Sequence, residues 1–221
     1  MSHGVTNQRY FIILLFFITG FIFPYLIQAE SKTMARGYVF EDLNRNGVRD
    51  LNERGLHRII VSNQQEVTTT RKDGSWELPS SDDTIFFVVK PSGWMTPVNH
   101  HNLPLFYYIH KPKGSPDLKF EGVKPTGHLP SSIDFPLHRQ SEPLKFQAVF
   151  FGDPQPRNQK ELDFIARDVV EELVGTKAKF GVTLGDILFD DLSLFERNNS
   201  IISQIGIPWY NVIGNHDLNF D

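Results

Sequence analysis

The spacing of apolar and polar residues changes along the chain. Between residues 34 and 97, five short runs are rich in Val, Ile, Thr, Phe and Trp and are bounded by Gly, Pro, Asn and Asp. These runs cover residues 37–40, 59–61, 66–70, 75–78 and 84–90. Short strands at this spacing predict a small all-β sandwich over residues 34–97.

A proline-rich segment follows the predicted sandwich. Eight prolines lie between residues 97 and 143. Proline has no backbone N–H and a fixed φ, so such a stretch disfavours long helices and central strands. Residues 98–143 are therefore expected to form a connector that packs on its neighbours.

The apolar spacing becomes helical after residue 144. Residues 145–151, 180–184 and 209–213 are apolar runs typical of buried strands, and two stretches with the core stripe of a helix separate them. Asn158 resembles the N-cap of the first helix, and Gly175 and Gly206 resemble the ends of the two helices. The order βαβαβ predicts a parallel sheet at residues 144–221 that helices cover on both faces.

Each of these three strands ends in a glycine, and the next residue is one that can bind a metal. The residues are Asp153, Asp186 and Asn215, and the carboxyl ends of parallel strands lie at one edge of a sheet. Any one of them alone would suit an ordinary helix cap. Three in the same position favour a shared metal site.

The motifs around these residues resemble those of the calcineurin-like metallophosphoesterases. The chain has Gly-Asn-His-Asp at 214–217, Gly-Asp at 185–186 with a later Asp190, and Asp153 at the first position. For residues 144–221 the resemblance implies the first part of an α/β (βαβαβ) metallophosphoesterase domain. Together with the all-β sandwich predicted from the strand pattern, it gives a multi-domain protein with the sandwich at the N-terminal end. Gln155 stands where the family usually has a histidine, so the resemblance implies a neutral amide oxygen as a weaker ligand at this position.

The resemblance also implies roles for these side chains in a dinuclear metal centre. Asp153 and Gln155 would hold one metal, Asp186 would bridge the two metals, and Asn215 would bind the second. His216 would act as an acid or charge stabiliser beside the leaving group, and Asp217 would fix its tautomer. The mixed ligands suit two transition-metal ions, drawn from Mn, Fe, Zn or Co.

Members of the family have further histidines after the Asn-His-Asp motif, and only residues 218–221 follow it here. The sequence is therefore expected to be an N-terminal fragment of a longer phosphoesterase and inactive by itself. The histidines at 100, 101, 110, 128 and 138 precede the sheet and are expected to be solvated.

A second candidate metal site lies in the β-sandwich. Six residues occupy the ligand positions of a twelve-residue EF-hand-type loop around Gly47, with Val48 contributing its carbonyl oxygen. They are Asp42, Asn44, Asn46, Val48, Asp50 and Glu53. The spacing predicts a weak calcium site, and a plain Asn-Gly turn is the alternative. The loop resembles those of exported transthyretin-like or adhesin-repeat sandwiches.

The N-terminus predicts export. Residues 10–27 carry no charge, Arg9 precedes them and Ala29 follows, which is typical of a signal peptide over residues 1–29. An uncleaved membrane anchor is the alternative. The protein is expected to be periplasmic, extracellular or on the cell surface, with membrane contact only through this segment.

Composition excludes several chemistries. The chain has no Cys, so disulfides, thiolate metal sites and Cys nucleophiles are excluded. Its formal charge of -4 gives no basic footprint for nucleic acid. Two functions remain open: an exported hydrolase of phosphoester substrates, and a cell-surface binding module on an inactive phosphoesterase scaffold.

Overall fold

The computed structural model of the chain describes residues 33–220. The predicted signal segment, residues 1–29, lies outside the described residues, so cleavage and export stay predictions. Within 33–220, no helix has the length and apolar character needed to cross a membrane.

Most of the described residues that form regular structure belong to three β-sheets. The first sheet has the order β4-β1-β8-β6 and the second the order β3-β2-β5-β7. The first consists of β1 (Thr33–Glu41), β4 (Ser75–Ser80), β6 (Trp94–Met95) and β8 (Phe135–Arg139). The second consists of β2 (Ile60–Ser62), β3 (Val67–Thr69), β5 (Thr84–Val88) and β7 (Tyr107–His110).

The first and second sheets share one hydrophobic core. Side chains alternate between buried and half-buried along β4 and β5, as expected for strands with one face in a core. Trp76 from the first sheet packs against Phe86 from the second with ring centroids 5.7 Å apart. The β-rich N-terminal part predicted from the sequence is therefore confirmed.

The proline-rich segment is more than a connector. It supplies β7 to the second sheet and β8 to the first, where β8 lies between β1 and β6 and contains Pro136. Strand β8 pairs in parallel with β1 at residues 135–137, but with β6 only at His138 and Arg139. Pro136 is thus tolerated because β8 has a neighbour on only one side at that position.

The third sheet contains three parallel strands in the order β11-β10-β9. They are β9 (Val149–Phe151), β10 (Gly181–Leu184) and β11 (Trp209–Val212). Between β9 and β10 the chain forms α1 (Gln159–Ile165), a π-helical segment (Ala166–Val170) and α2 (Glu171–Leu173). Between β10 and β11 lies α3 (Phe195–Ile202), with 3-10 turns at Leu192–Leu194 and Ser203–Ile205.

The predicted helix boundaries are confirmed. Asn158 caps α1, because its Oδ1 accepts a hydrogen bond from the backbone N–H of Glu161 at 3.1 Å. Gly175 and Gly206 have φ angles of 77° and 81°, in the left-handed region that ends helices.

Both helical connections lie on the same face of the third sheet, which differs from the expected cover on two faces. Leu162 of α1 and Ile201 of α3 belong to one buried cluster with Trp209 of β11. Phe150 and Leu184 are exposed on the opposite face. The strands follow one another in a single direction across the sheet, and right-handed crossovers then place both helices on one side.

A buried carboxylate paired with two exposed arginines fixes the end of β1. The carboxylate of Glu41 accepts hydrogen bonds from Arg54 Nε and Arg139 Nε, each at 2.6 Å. Burial raises the pKa of Glu41, but hydrogen bonds and positive charge from the two arginines outweigh it, so the pKa lies below its ordinary value. Glu41 therefore links β1 to β8 and to the loop that contains Arg54.

The Glu41→Gln substitution should lower the free energy of unfolding by about 1–2 kcal/mol near neutral pH. The folded-state pKa is depressed, so the carboxylate contributes fully above its ordinary pKa of 4.5, and the contribution is lost as the pH falls through the lower folded value. Urea denaturation of both proteins at neutral and at strongly acidic pH measures this. A difference that stayed constant across pH would show that packing, not charge, is responsible.

Candidate metal centre

Asp186 lies at the centre of the three strand ends. Its Oδ1 accepts a hydrogen bond of 3.1 Å from the backbone N–H of His216, which lies after β11. Its Oδ2 accepts a hydrogen bond of 3.2 Å from Nε2 of Gln155, which lies after β9. The backbone N–H of Gln155 also donates to the Asp186 carbonyl at 3.1 Å. The structure therefore brings together at one edge the residues that follow all three strands.

The backbone at this edge is unusual. Asp153, Gln155 and Asp186 have φ angles of 57°, 37° and 44°, which non-glycine residues adopt rarely. A Cβ at Gly214 would lie 2.0 Å from Asp186 Oδ1 and 2.3 Å from the Asp186 backbone nitrogen. Glycine at 214 is thus what allows Asp186 to approach the end of β11.

The other two predicted ligands are exposed. Asp153 follows β9, and Asn215 begins the 3-10 turn Asn215–Asp217 after β11. The negative charges of Asp153 and Asp186 both contribute to raising the pKa of His216, after the larger effect of its hydrogen bond with Asp190. A cluster of carboxylates around an open edge is suited to divalent cations.

His216 pairs with a residue to which the sequence assigned no role. Its Nδ1 lies 2.9 Å from Asp190 Oδ1, which leaves Nε2 as the ring nitrogen that can face a substrate. The hydrogen bond with Asp190 raises the pKa of His216, burial opposes the rise, and the charges of Asp190, Asp186 and Asp153 add to it. In the sequence, the position of Asp190 four residues after Asp186, in the same strand-end loop, could have indicated a role at this site.

Asp217 has a different role from the one expected. It is 8% exposed, and its carboxylate accepts hydrogen bonds from the backbone N–H groups of Ile187, Leu188 and Gly214 at 3.0, 2.9 and 2.8 Å. In the structure Asp190, and not Asp217, holds the His216 ring. Successive side chains of a 3-10 turn point in different directions, so Asp217 turns into the fold while His216 faces outward. Asp217 joins the ends of β10 and β11.

A stack of side chains borders His216. The ring of Phe189 lies on the His216 ring with centroids 4.4 Å apart and planes 22° apart. The guanidinium of Arg157 lies 4.5 Å from the centroid of the Phe189 ring. The stack restrains the histidine ring and places a positive charge near the acidic edge.

The residues present fit a divalent metal centre in their chemistry. The predicted ligands offer carboxylate and amide oxygens, which bind divalent cations of intermediate hardness. The Gln155 amide currently donates to Asp186, so it would have to turn over to offer its oxygen to a metal.

The connector histidines are not all solvated, as had been expected. His101, His110 and His138 are buried, with exposed fractions of 8, 6 and 7%. His138 Nδ1 lies 3.1 Å from the Asp42 carbonyl oxygen, and His101 Nε2 lies 2.9 Å from Glu196 Oε1. The expectation was wrong for these three because the connector packs into the fold.

The predicted calcium loop is folded back on itself. Gly47 has a φ of 75°, and its N–H donates to Asp42 Oδ2 at 2.9 Å. Asn44 Oδ1 accepts from the N–H of Asn46 at 3.0 Å, and Asn46 Oδ1 accepts from that of Val48 at 2.7 Å. These bonds turn alternate side chains of the loop toward its interior.

Two carboxylates close this loop. Glu53, 4% exposed, accepts hydrogen bonds from the N–H groups of Leu43 at 2.7 Å and Asp50 at 3.0 Å. Asp42 is 3% exposed, and its buried Oδ1 has no hydrogen-bond partner. A buried carboxylate oxygen without a donor is costly unless a cation satisfies it.

A comparison with protein families matches residues 43–125 to the model described as the N-terminal region of the calcineurin-like phosphoesterase. No curated protein matches the chain. The matched range lies in the β-sandwich and the proline-rich segment, whereas the resemblance in the sequence rests on motifs between residues 153 and 217. Residues 43–125 are thus similar to the N-terminal region of calcineurin-like phosphoesterases, the family that the motifs between residues 153 and 217 also resemble.

Proposed function

We propose that the full-length protein containing these residues hydrolyses phosphoester bonds at a dinuclear metal centre built on the third sheet. The observation that carries the proposal is the position of Asp186, whose carboxylate contacts the segments after β9 and β11. The three strands with their helices would form the first part of an α/β phosphoesterase domain. Replacement of Asp186 tests this proposal.

The metals would be held by carboxylate and amide oxygens. Asp153 and Gln155 would hold one cation, Asp186 would be shared, and Asn215 would hold the other. When bound, two divalent cations would neutralise the phosphate charge and lower the pKa of the attacking water. Further ligands, including imidazoles, would come from other parts of the full-length protein.

The residues around the metals would orient the substrate and move one proton. The attacking water would release one proton to solvent and its oxygen would form a bond to phosphorus. The bond from phosphorus to the leaving oxygen would break, and His216 Nε2 would give its proton to that oxygen. Asp190 stabilises the charged form of His216, as the raised pKa indicates. Arg157 supplies a positive charge beside the stack and is a candidate contact for a substrate phosphate oxygen.

We also propose that the loop from Asp42 to Glu53 binds calcium, on the support of the unpartnered Asp42 Oδ1. The exposed Asn44 and Asn46 and the half-buried Asp50 make a wet site, so the affinity would lie in the weak range of extracellular modules. This fits the proposal of an exported protein with a periplasmic, extracellular or cell-surface location.

Calcium should raise the Tm of the full chain. At a hundredfold excess of calcium over Kd, binding to the folded state adds about 2.7 kcal/mol, which corresponds to a rise of about 5–10 °C. Asp42→Asn should remove the rise, because it deletes the charge that the cation satisfies and keeps the side-chain shape. Calorimetry without calcium and with calcium at a hundred times the Kd, roughly 10–100 mM for a site in this weak range, measures the effect.

Asp82→Asn is the matched control, because Asp82 is an exposed acidic residue of the same sandwich. This variant should respond to calcium like the wild type. If no protein responds to calcium at these concentrations, the loop is a plain turn. If calcium binds but the full-length protein shows no metal-dependent hydrolysis, the alternative of a binding module on an inactive scaffold is favoured.

A further inference from the structure

We propose a second transition-metal site, separate from the residues assigned to catalysis, formed by His100, His101 and Glu196. The two histidines lie in the proline-rich segment and Glu196 lies on α3. Their ligand atoms all lie within 4.8 Å of one another. Two imidazole nitrogens and one carboxylate oxygen form a donor set that zinc binds, with water completing the coordination.

The distances suit a shared ion. His101 Nε2 and His100 Nε2 lie 2.9 and 4.0 Å from Glu196 Oε1. Ligand atoms about 2.0–2.1 Å from a tetrahedral zinc ion lie about 3.3 Å apart. One of the two observed distances is shorter than this value and the other is longer. Small side-chain rotations would therefore bring both histidine nitrogens to one ion. The ion would take the place of the hydrogen that bridges His101 Nε2 and Glu196 Oε1.

The backbone that carries the histidines is held in place. Asn99 Oδ1 accepts hydrogen bonds from the N–H groups of His101 at 2.9 Å and Leu103 at 3.0 Å. Asn102 Nδ2 donates to the Ser203 carbonyl at 2.9 Å, and the Asn102 carbonyl accepts from the N–H of Trp209 at 2.9 Å. The loop is thus docked on the third-sheet unit, and little chain entropy remains to be lost on binding.

Burial and charge also favour a cation here. The side chain of His101 is 10% exposed, while that of Glu196 is 80% exposed and gives access from solvent. The neighbouring cation, Arg197, is paired with Asp163 and so competes weakly for Glu196. His101 and Glu196 are 95 residues apart in sequence, so a bound ion would tie the proline-rich segment to α3 and restrict the unfolded chain.

Zinc binding by the full chain tests the proposal. The measurements use the Asp186→Ala background, which disables the candidate catalytic centre, and excess calcium, which saturates the Asp42 loop. Isothermal titration should show one equivalent of zinc bound. Glu196→Gln in this background should weaken binding at least tenfold, because glutamine can still accept the His101 hydrogen bond but loses the charge. His100→Asn should weaken it similarly.

His128→Asn is the matched control, since His128 is an exposed histidine of the same segment, and it should bind zinc with unchanged affinity. Tm values without zinc should differ little among the variants, because the side chains of His100 and Glu196 are exposed. Absence of zinc binding in the Asp186→Ala protein would overturn the proposal. So would binding that Glu196→Gln and His100→Asn leave unchanged, which would place the ion elsewhere.

Discussion

The Asp186→Ala substitution should remove both the bound catalytic metal and the hydrolysis of phosphoesters by the full-length protein. Asp186 is the carboxylate that hydrogen-bonds the residues after β9 and β11, a link that no other carboxylate in the described part of the chain is seen to make. Its loss would leave two cations without a shared ligand. The rate of hydrolysis should fall by more than the roughly 10²–10⁴-fold decrease that the loss of a general acid causes.

His216→Ala separates catalysis from metal binding. The variant keeps Asp153, Gln155, Asp186 and Asn215 and should therefore keep its metal, while the rate falls by about 10²–10⁴-fold. Metal content by mass spectrometry and turnover of a chromogenic phosphoester with added manganese, measured on the same preparations, give both values. Equal metal loss in the two variants would show that His216 is a ligand or a fold residue and that its acid role is wrong.

The Asp217→Ala substitution should lower the free energy of unfolding by about 3–5 kcal/mol. It leaves the N–H groups of Ile187, Leu188 and Gly214 without their acceptor, and each unsatisfied buried donor costs about 1–3 kcal/mol. The ends of β10 and β11 would then separate, and Asp186 would lose its place. Urea denaturation measures the change in stability.

Asp190→Ala is the control for Asp217. Asp190 is an exposed carboxylate in the neighbouring loop, after β10, and its side chain bonds the His216 ring and no backbone N–H group that the structure shows. Its removal should cost less than about 1 kcal/mol. If Asp217→Ala were as mild as Asp190→Ala, the three backbone bonds would not be the support of this edge.

The periodic elements could be predicted from the sequence. The run 75–78 lies within β4, the run 209–213 covers β11, and Asn158 caps its helix, because these features depend on alternation, burial and local hydrogen bonding. The convergence of Asp186 with Gln155 and the residues after β11 followed from the parallel order of the strands.

Features that depend on the partner of a residue could not be predicted. In the sequence, Pro136 indicates a connector. Only the structure shows that β6 pairs with β8 at residues beyond this proline, so that the proline can lie within a strand. The roles of Asp190 and Asp217 differ through the direction of each side chain in its turn, which spacing does not give. The burial of His101 depends on α3, which lies nearly a hundred residues away along the chain.

The most direct test of the dinuclear centre is anomalous X-ray diffraction from crystals of the full-length protein grown with manganese and measured at the manganese absorption edge. The account predicts two neighbouring manganese peaks, with the Asp186 carboxylate between them, Asp153 beside one and Asn215 beside the other. Its central claim would be contradicted by an empty strand edge in manganese-saturated crystals, or by peaks that do not contact Asp186.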